Sequence, residues 1–432
     1  MNYIYIIISL IIILYITFRK VDFLSIGAAC FIIYHSHAAY GEVYIHSRER
    51  VNVLLYEDFI SDKLYLILFS QLLILLFSIV IYDYLAKKNK TDKIVYVSTI
   101  RNDDTKAIHK SFVILGFLSL FTYSIDIFKI GFVNLAGNKS YVWQQTGLFY
   151  TVSLWSAMAV FSYAIKNKKF SLLFISVPQI LIHLFIGSRA YFAVIIIIMI
   201  IYYGHYIKHN LVKNIKLYVL GAIGAIGIMA YKRIWMDVKA FDFIAVMNTL
   251  LDKETYLWIL RLGEPRIVLA DYNYIINSSF RLDFSDLFVR LITIFPFANR
   301  LGNPTHDILL SSVIRNDFNA SYGLASNFWA EGYAMFGYFG IYLFFIIWIV
   351  MLKKGNEFIE SNSWISYFAI PIISYLAFYI HRMDYIKVIG NIKMLFFSAL
   401  VWWFINSFLT NNWIITIRSK YNININKVCV RD

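Results

Sequence analysis

Charge is scarce in this chain. Of its 432 residues only 15% are Asp, Glu, Lys or Arg, against 60% hydrophobic, and the mean hydropathy is +0.63. That balance excludes a soluble globular domain. Cysteine is almost absent. Cys30 lies in an apolar run and Cys429 near the end, too far apart in the expected topology to pair, so neither a disulfide framework nor a zinc site is indicated. No internal repeat is visible, which counts against an inverted-repeat carrier. The runs 170–186 and 190–206 carry His183 and His205 but no acid or lysine at mid-depth, so a proton or ion relay is not expected. No basic residue precedes the first apolar run and no small-x-small site ends it, so it reads as retained and not as a cleaved signal. The formal net charge of +14 comes from short lysine clusters beside apolar runs. Without a basic domain, nucleic acid is not an expected partner.

What the chain has in quantity is apolar sequence. A spanning helix needs roughly 20 apolar residues to cross the hydrocarbon while satisfying its own backbone. Eleven such runs are expected, near 3–18, 22–40, 64–86, 111–130, 148–165, 170–186, 190–206, 217–231, 330–352, 364–381 and 388–409. The second is interrupted by His35, Ser36 and His37. The fold class is thus an all-α polytopic membrane protein with one large external loop. Basic clusters orient it. Arg19-Lys20, Lys87 to Lys90, Lys166 to Lys169, Lys208 to Lys216, Lys353-Lys354 and Arg418 to Lys420 follow alternate runs and mark the cytoplasmic side. The loops near 41–63, 131–147, 187–189, 232–328 and 382–387 then lie outside, together with the N-terminus. Four regions follow: a bundle over 1–231, the large loop 232–328, late spans over 329–409 and a cytoplasmic tail at 410–432.

In the large loop every basic residue after Lys253 is an arginine: Arg261, Arg266, Arg281, Arg290, Arg300 and Arg315. The flat guanidinium fork grips phosphate and carboxylate at two points, whereas lysine is a hydrated point charge. A polyanionic substrate such as a lipid-linked diphosphate is indicated. The stretches 241–251, 256–260 and 287–298 are apolar enough to lie on the membrane. Three of the five prolines, Pro265, Pro296 and Pro304, predict short surface helices separated by turns. That arrangement would form a lid over a cavity open to both the outer leaflet and water.

Three constellations carry candidate chemistry. Gly187-Ser188-Arg189-Ala190 places Arg189 in a very short external turn, where glycine and serine let a diphosphate approach the backbone; the plain alternative is an arginine snorkelling to headgroups. In Asn303-Pro304-Thr305-His306-Asp307, His306 could act as a general base near working pH, or be a loop histidine beside a capping Asp307. Glu331, within Ser326 to Gly340, is expected to open the ninth span at the outer interface. There it either complements the helix N-terminus, or accepts a proton or holds a sugar hydroxyl.

These features together resemble the Wzy-type O-antigen polymerases, the oligosaccharide repeat-unit polymerases of bacterial envelopes. The shared features are the many spans, GSRA in a tight outer turn, the arginine-rich outer loop, His306 within NPTHD, and SNFWAEGYAMFGYFG leading into the next span. The resemblance implies a GT-C-like glycosyltransferase of eleven spans, or twelve with both termini cytoplasmic as usually described for the family. It would sit in the bacterial inner membrane with its active site facing the periplasm. It would move a growing glycan en bloc from undecaprenyl diphosphate to a hydroxyl of the next lipid-linked repeat unit, without cofactor or metal; no DxD motif occurs in the loop. Partners would be that lipid-linked oligosaccharide as donor and acceptor, membrane lipids and a chain-length regulator protein. Arg189, His306 and Glu331 are then the expected catalytic residues, and Arg266, Arg300, Arg281, Arg290 and Arg315 the diphosphate binders. An O-antigen ligase would share architecture and donor, while a flippase would lack the large loop. A membrane acyltransferase would want a histidine within a span, and only His183 qualifies.

Overall fold

The computed structural model describes residues 1–46, 54–89, 102–135, 137, 141–142, 145–206, 211–278, 280–295, 309–320, 324–361 and 363–410. Every expected apolar run is helical: α1 (Asn2–Phe18), α2 (Phe23–Tyr34), α3 (Asp62–Asn89), α4 (Asn102–Ile130), α5 (Leu148–Lys166), α6 (Leu173–Phe185), α7 (Ala190–Tyr206) and α8 (Leu211–Lys239). The loop region supplies α9 (Phe243–Leu251), α10 (Lys253–Leu262), α11 (Glu264–Asn277), α12 (Phe284–Ile292) and α13 (Leu310–Asp317). After it come α14 (Phe328–Phe336), α15 (Tyr338–Glu360), α16 (Trp364–Tyr379) and α17 (Tyr385–Leu409). Seven of these helices are long and apolar enough to cross a membrane, and four shorter apolar helices accompany them. The molecule is a polytopic helical bundle.

Three local departures from the sequence reading have clear causes. Within the loop expected over 41–63 the otherwise all-α fold carries two strands: Glu42–His46 (β1) and Leu54–Phe59 (β2) pair antiparallel, Glu42 opposite Phe59. Alternating side chains of β1 turn inward, burying Val43 and Ile45, as a one-sided hairpin requires. The side-chain amide of Asn273 on α11 fixes this hairpin, donating to Tyr56 Oη, Asp58 Oδ2 and the Phe59 carbonyl and accepting from Ser61 N at 3.0 Å. The ninth run is two helices, because Gly337 takes a left-handed φ of +67° between α14 and α15, a conformation that favours glycine. Finally, α8 continues to Lys239, past the expected boundary at 231. The second run, expected over 22–40, is α-helical only to Tyr34, and Ser36–Ala39 tightens to a 3-10 turn.

The bundle has two polar ends. At one, Arg19 after α1 bridges Asp22 before α2 and Asp83 late in α3. Asn356 of α15 donates to Asp22 at 2.7 Å, Lys20 meets His205 at 3.0 Å, and Lys166 reaches the Ser361 carbonyl. At the other end the turns before α7 and α17, the start of α11 and the hairpin come together. Among the described residues, Arg19, Lys20, Lys166 and the last turns of α15 thus collect at one end, and the described turns before α7 and α17 collect at the other.

Candidate functional site

The positive φ of Gly187 (+105°) turns the chain sharply between α6 and α7, and Ser188 N closes the turn on the His183 carbonyl at 3.2 Å. Arg189 is thereby aimed into the protein. One nitrogen donates to the Ile228 carbonyl of α8 at 3.0 Å, and another pairs with Glu264, the first residue of α11. Glycine is needed just before it, since a Cβ on Gly263 would lie 2.4 Å from the Ile259 carbonyl oxygen. The second carboxylate oxygen of Glu264 is held by Arg382, from the 3-10 turn Ile380–Arg382 after α16. The three side chains are 14%, 11% and 18% exposed, so the charges meet where water is scarce. Burial alone would raise the Glu264 carboxyl; Arg382, Arg189 and Lys232 outweigh it and hold the group well below the usual carboxylate range. Two guanidiniums and one carboxylate leave a positive excess.

An apolar crevice of about 270 Å³ runs from this group between α1, α2, α7 and α8. Small residues on α8, Gly221, Ala222 and Ala225, keep it open. Tyr34, Ile228 and Phe378 close its charged end. Tyr34 lies within electrostatic reach of both Glu264 and Arg382, and the carbonyl of Ile228 is the acceptor of Arg189. Leu217 and Met229 both line the crevice, and twelve residues of α-helix span about 18 Å at 1.5 Å each. The arrangement suits a long hydrocarbon chain carrying an anionic group at one end.

A second buried cluster lies across the 381–385 segment. Arg290 of α12 pairs with Glu331 of α14, both fully buried, and Glu331 also accepts from Tyr385 N. Asp384 accepts from Ser311 N and Ser311 Oγ at 3.1 and 3.0 Å and from Lys387 at 2.7 Å. Burial opposes its ionisation, yet Lys387 and these hydrogen bonds keep its carboxyl below the ordinary value. Asp271, seven residues after Glu264 on the same stripe of α11, is fully buried, and neither carboxylate oxygen has a hydrogen-bond partner among the described residues. Burial, reinforced by nearby Asp384, pushes its carboxyl well above the usual range. Opposite shifts in neighbouring acids mark a site where protonation states are set by environment. Among the described residues no three histidine, cysteine, aspartate or glutamate side chains gather as a metal site would need.

Comparison of the chain with family models, curated proteins and solved structures gives no match.

Of the residues singled out by sequence, Arg189 enters the crevice-end group, and Arg290 and Glu331 join each other. Glu331 does not open a span at the interface: it sits in its own short buried helix, its carboxylate occupied by Arg290 and the Tyr385 amide. Arg266 is buried with its guanidinium 4.1 Å over the Tyr44 ring of the hairpin. Arg281 is exposed and stacks 3.7 Å over Tyr333, and Arg315 is exposed beside Asn316. Among the described residues the structure therefore does not gather Arg266, Arg281, Arg290 and Arg315 at one point. Arg300 and His306 lie outside the described residues, as do Pro296 and Pro304. The intraspan histidine His183 is buried against Tyr150 Oη at 2.6 Å. Sequence reasoning missed Glu264, Arg382, Asp384 and Asp271. A signal for two of them existed: His381-Arg382-Met383-Asp384 is a charged turn between two apolar runs, as short as the turn that drew attention to Arg189.

Proposed function

We propose that the protein polymerises undecaprenyl-diphosphate-linked oligosaccharide repeat units into O-antigen polysaccharide by en bloc glycosyl transfer, as a GT-C-like enzyme of eleven spans at the periplasmic face of the bacterial inner membrane. The observation that carries this reading is the pairing of Arg189 and Arg382 at the charged end of the apolar crevice. A lipid-linked diphosphate needs that combination: a dry channel for the isoprenoid and two-point cationic forks for the phosphates. Glu264 occupies both forks in the structure. The diphosphate, with more charge and more acceptor oxygens, takes them over.

The chemistry then follows. The bond between the donor's anomeric carbon and the phosphate oxygen breaks, its electron pair leaving with the diphosphate. The acceptor hydroxyl oxygen bonds to that carbon and gives up its proton to a base. Arginines placed where leaving-group charge develops lower the barrier by electrostatic preorganisation; the base, by the family resemblance, is His306. The basic residues at the opposite end of the bundle, read by the positive-inside rule, support a crevice-end group outside the cytoplasm.

The test is lipopolysaccharide banding from cells deleted for the gene and complemented with wild type, Arg189→Ala or Arg382→Ala at matched expression. The polymerase reading expects deletion to leave core carrying a single repeat unit, and wild type but neither variant to restore the ladder. Bare core with accumulated undecaprenyl-linked polymer would instead make the protein an O-antigen ligase. An unchanged ladder on deletion would remove both readings.

A further inference from the structure

A second cavity, of about 750 Å³, opens at the end of the bundle opposite the arginine pair, between α1, α3 and α15. Its volume falls in the roughly 300–1,000 Å³ range of small-molecule sites. One wall is apolar, with Ile11, Leu14 and Phe18 of α1; these three are 49%, 61% and 57% exposed, so this wall faces the hydrocarbon. The other wall is charged in both signs. Arg19 is held between Asp22 and Asp83, with 2.7 Å contacts to each, and Tyr15 and Asn356 complete their bonding. Lys20 approaches His205 Nδ1 at 3.0 Å at the end of α7, and Glu360 closes the site from α15. Among the described lining residues, the bases Arg19 and Lys20 face the acids Asp22, Asp83 and Glu360.

A site that presents carboxylates does not select a purely anionic headgroup, and one with an exposed lysine at its rim does not select a bare cation. We propose that this cavity binds a zwitterionic phospholipid bearing a primary ammonium. Its phosphate lies against Lys20 and its ammonium donates to Asp83, the more open carboxylate of the network at 23% side-chain exposure. The first acyl carbons run along Leu14 and Phe18. A primary ammonium offers three N–H donors to oxygens in a narrow space, whereas a trimethylammonium offers none. The site is lined by different α1 residues from the crevice, lies at the end of the bundle away from the Arg189–Arg382 pair, and does not depend on the proposed glycosyl transfer.

Delipidated full-length protein is titrated with phosphatidylethanolamine, phosphatidylcholine and phosphatidylglycerol of identical acyl chains, and with soluble glycerophosphoethanolamine. Adducts are counted by native mass spectrometry. Phosphatidylethanolamine is expected to be retained about tenfold better than the other two lipids, the scale of one charge-assisted hydrogen bond. Lys20→Ala, at a surface position, and Ala86→Trp, which fills the cavity from α3, are each expected to erase that preference. Lys20→Ala alone decides the matter if the tryptophan variant does not fold. Equal retention of the three lipids, a preference that survives Lys20→Ala, or binding of the soluble headgroup as tight as the lipid would each overturn the proposal.

Discussion

Glu264 shows how a single carboxylate sets the character of a site. Its folded-state carboxyl titrates below the unfolded value, so the stability it contributes is complete above about pH 4.3 and is lost as pH falls below that toward the folded value. Glu264→Gln leaves Arg189 and Arg382 together without a counter-charge. Thermal unfolding at pH 7 is expected to report a loss of about 3–5 kcal/mol, and an acid titration to show a flatter fall in stability than wild type. Asp271 has the opposite sign. Its carboxyl stays neutral in the fold while the unfolded chain ionises above about pH 3.9, so each step of pH above that favours unfolding. Asp271→Asn is therefore expected to raise the unfolding temperature at pH 7, with the gain shrinking below pH 4. An unchanged midpoint at pH 7 would mean that Asp271 is not held neutral. Arg189 was legible from its turn, but its partner was not: Glu264 lies 75 residues away, and no local pattern encodes that distance.

Among the elements, the α14–α15 corner positions the second cluster. The break at Gly337 folds α14 back on α15, and the two backbones touch: a Cβ on Gly340 would fall 2.8 Å from the Gly332 carbonyl carbon, and one on Gly332 would fall 2.8 Å from the Gly340 carbonyl oxygen. Only glycine at both positions lets Glu331 reach Arg290. Gly340→Ala is expected to cost more than the ~1 kcal/mol that glycine-to-alanine propensity would suggest as a gain, because overpacking a close helix contact costs about 1–3 kcal/mol or more; chemical denaturation would measure it. For the buried pair, Arg290→Met and Glu331→Leu are each expected to destabilise by about 3–5 kcal/mol, and the double variant by clearly less than their sum. Additive losses would show that the two charges do not compensate each other. The sequence showed a single apolar run here, since glycine-rich aromatic sequence reads the same whether the helix continues or turns back.

At the scale of the whole molecule, the two polar ends carry the topology. Single cysteines replacing Lys354 and Arg315, on a background lacking Cys30 and Cys429, are expected to react with a membrane-impermeant maleimide from opposite sides, Arg315→Cys in intact spheroplasts and Lys354→Cys only after permeabilisation. Labelling of both from one side would remove the alternation on which the proposed orientation rests.

The sequence by itself determined the class, the eleven apolar helices and the sorting of loops to two ends. These follow from local quantities: apolar run length, the need of a backbone to satisfy itself in hydrocarbon, and the placement of lysine. It also picked out Arg189, because a charge in a very short turn stands out locally. Tertiary structure decided which groups meet. It joined Arg189 and Arg382 through Glu264, hid Glu331 behind Arg290, left Arg281 and Arg315 on the surface, and buried Asp271 near Asp384 with no hydrogen-bond partner among the described residues. Arginines in one loop look alike along the chain. Their roles differ because burial and the nearest opposite charge are set by helices that are distant in sequence and adjacent only in the folded bundle.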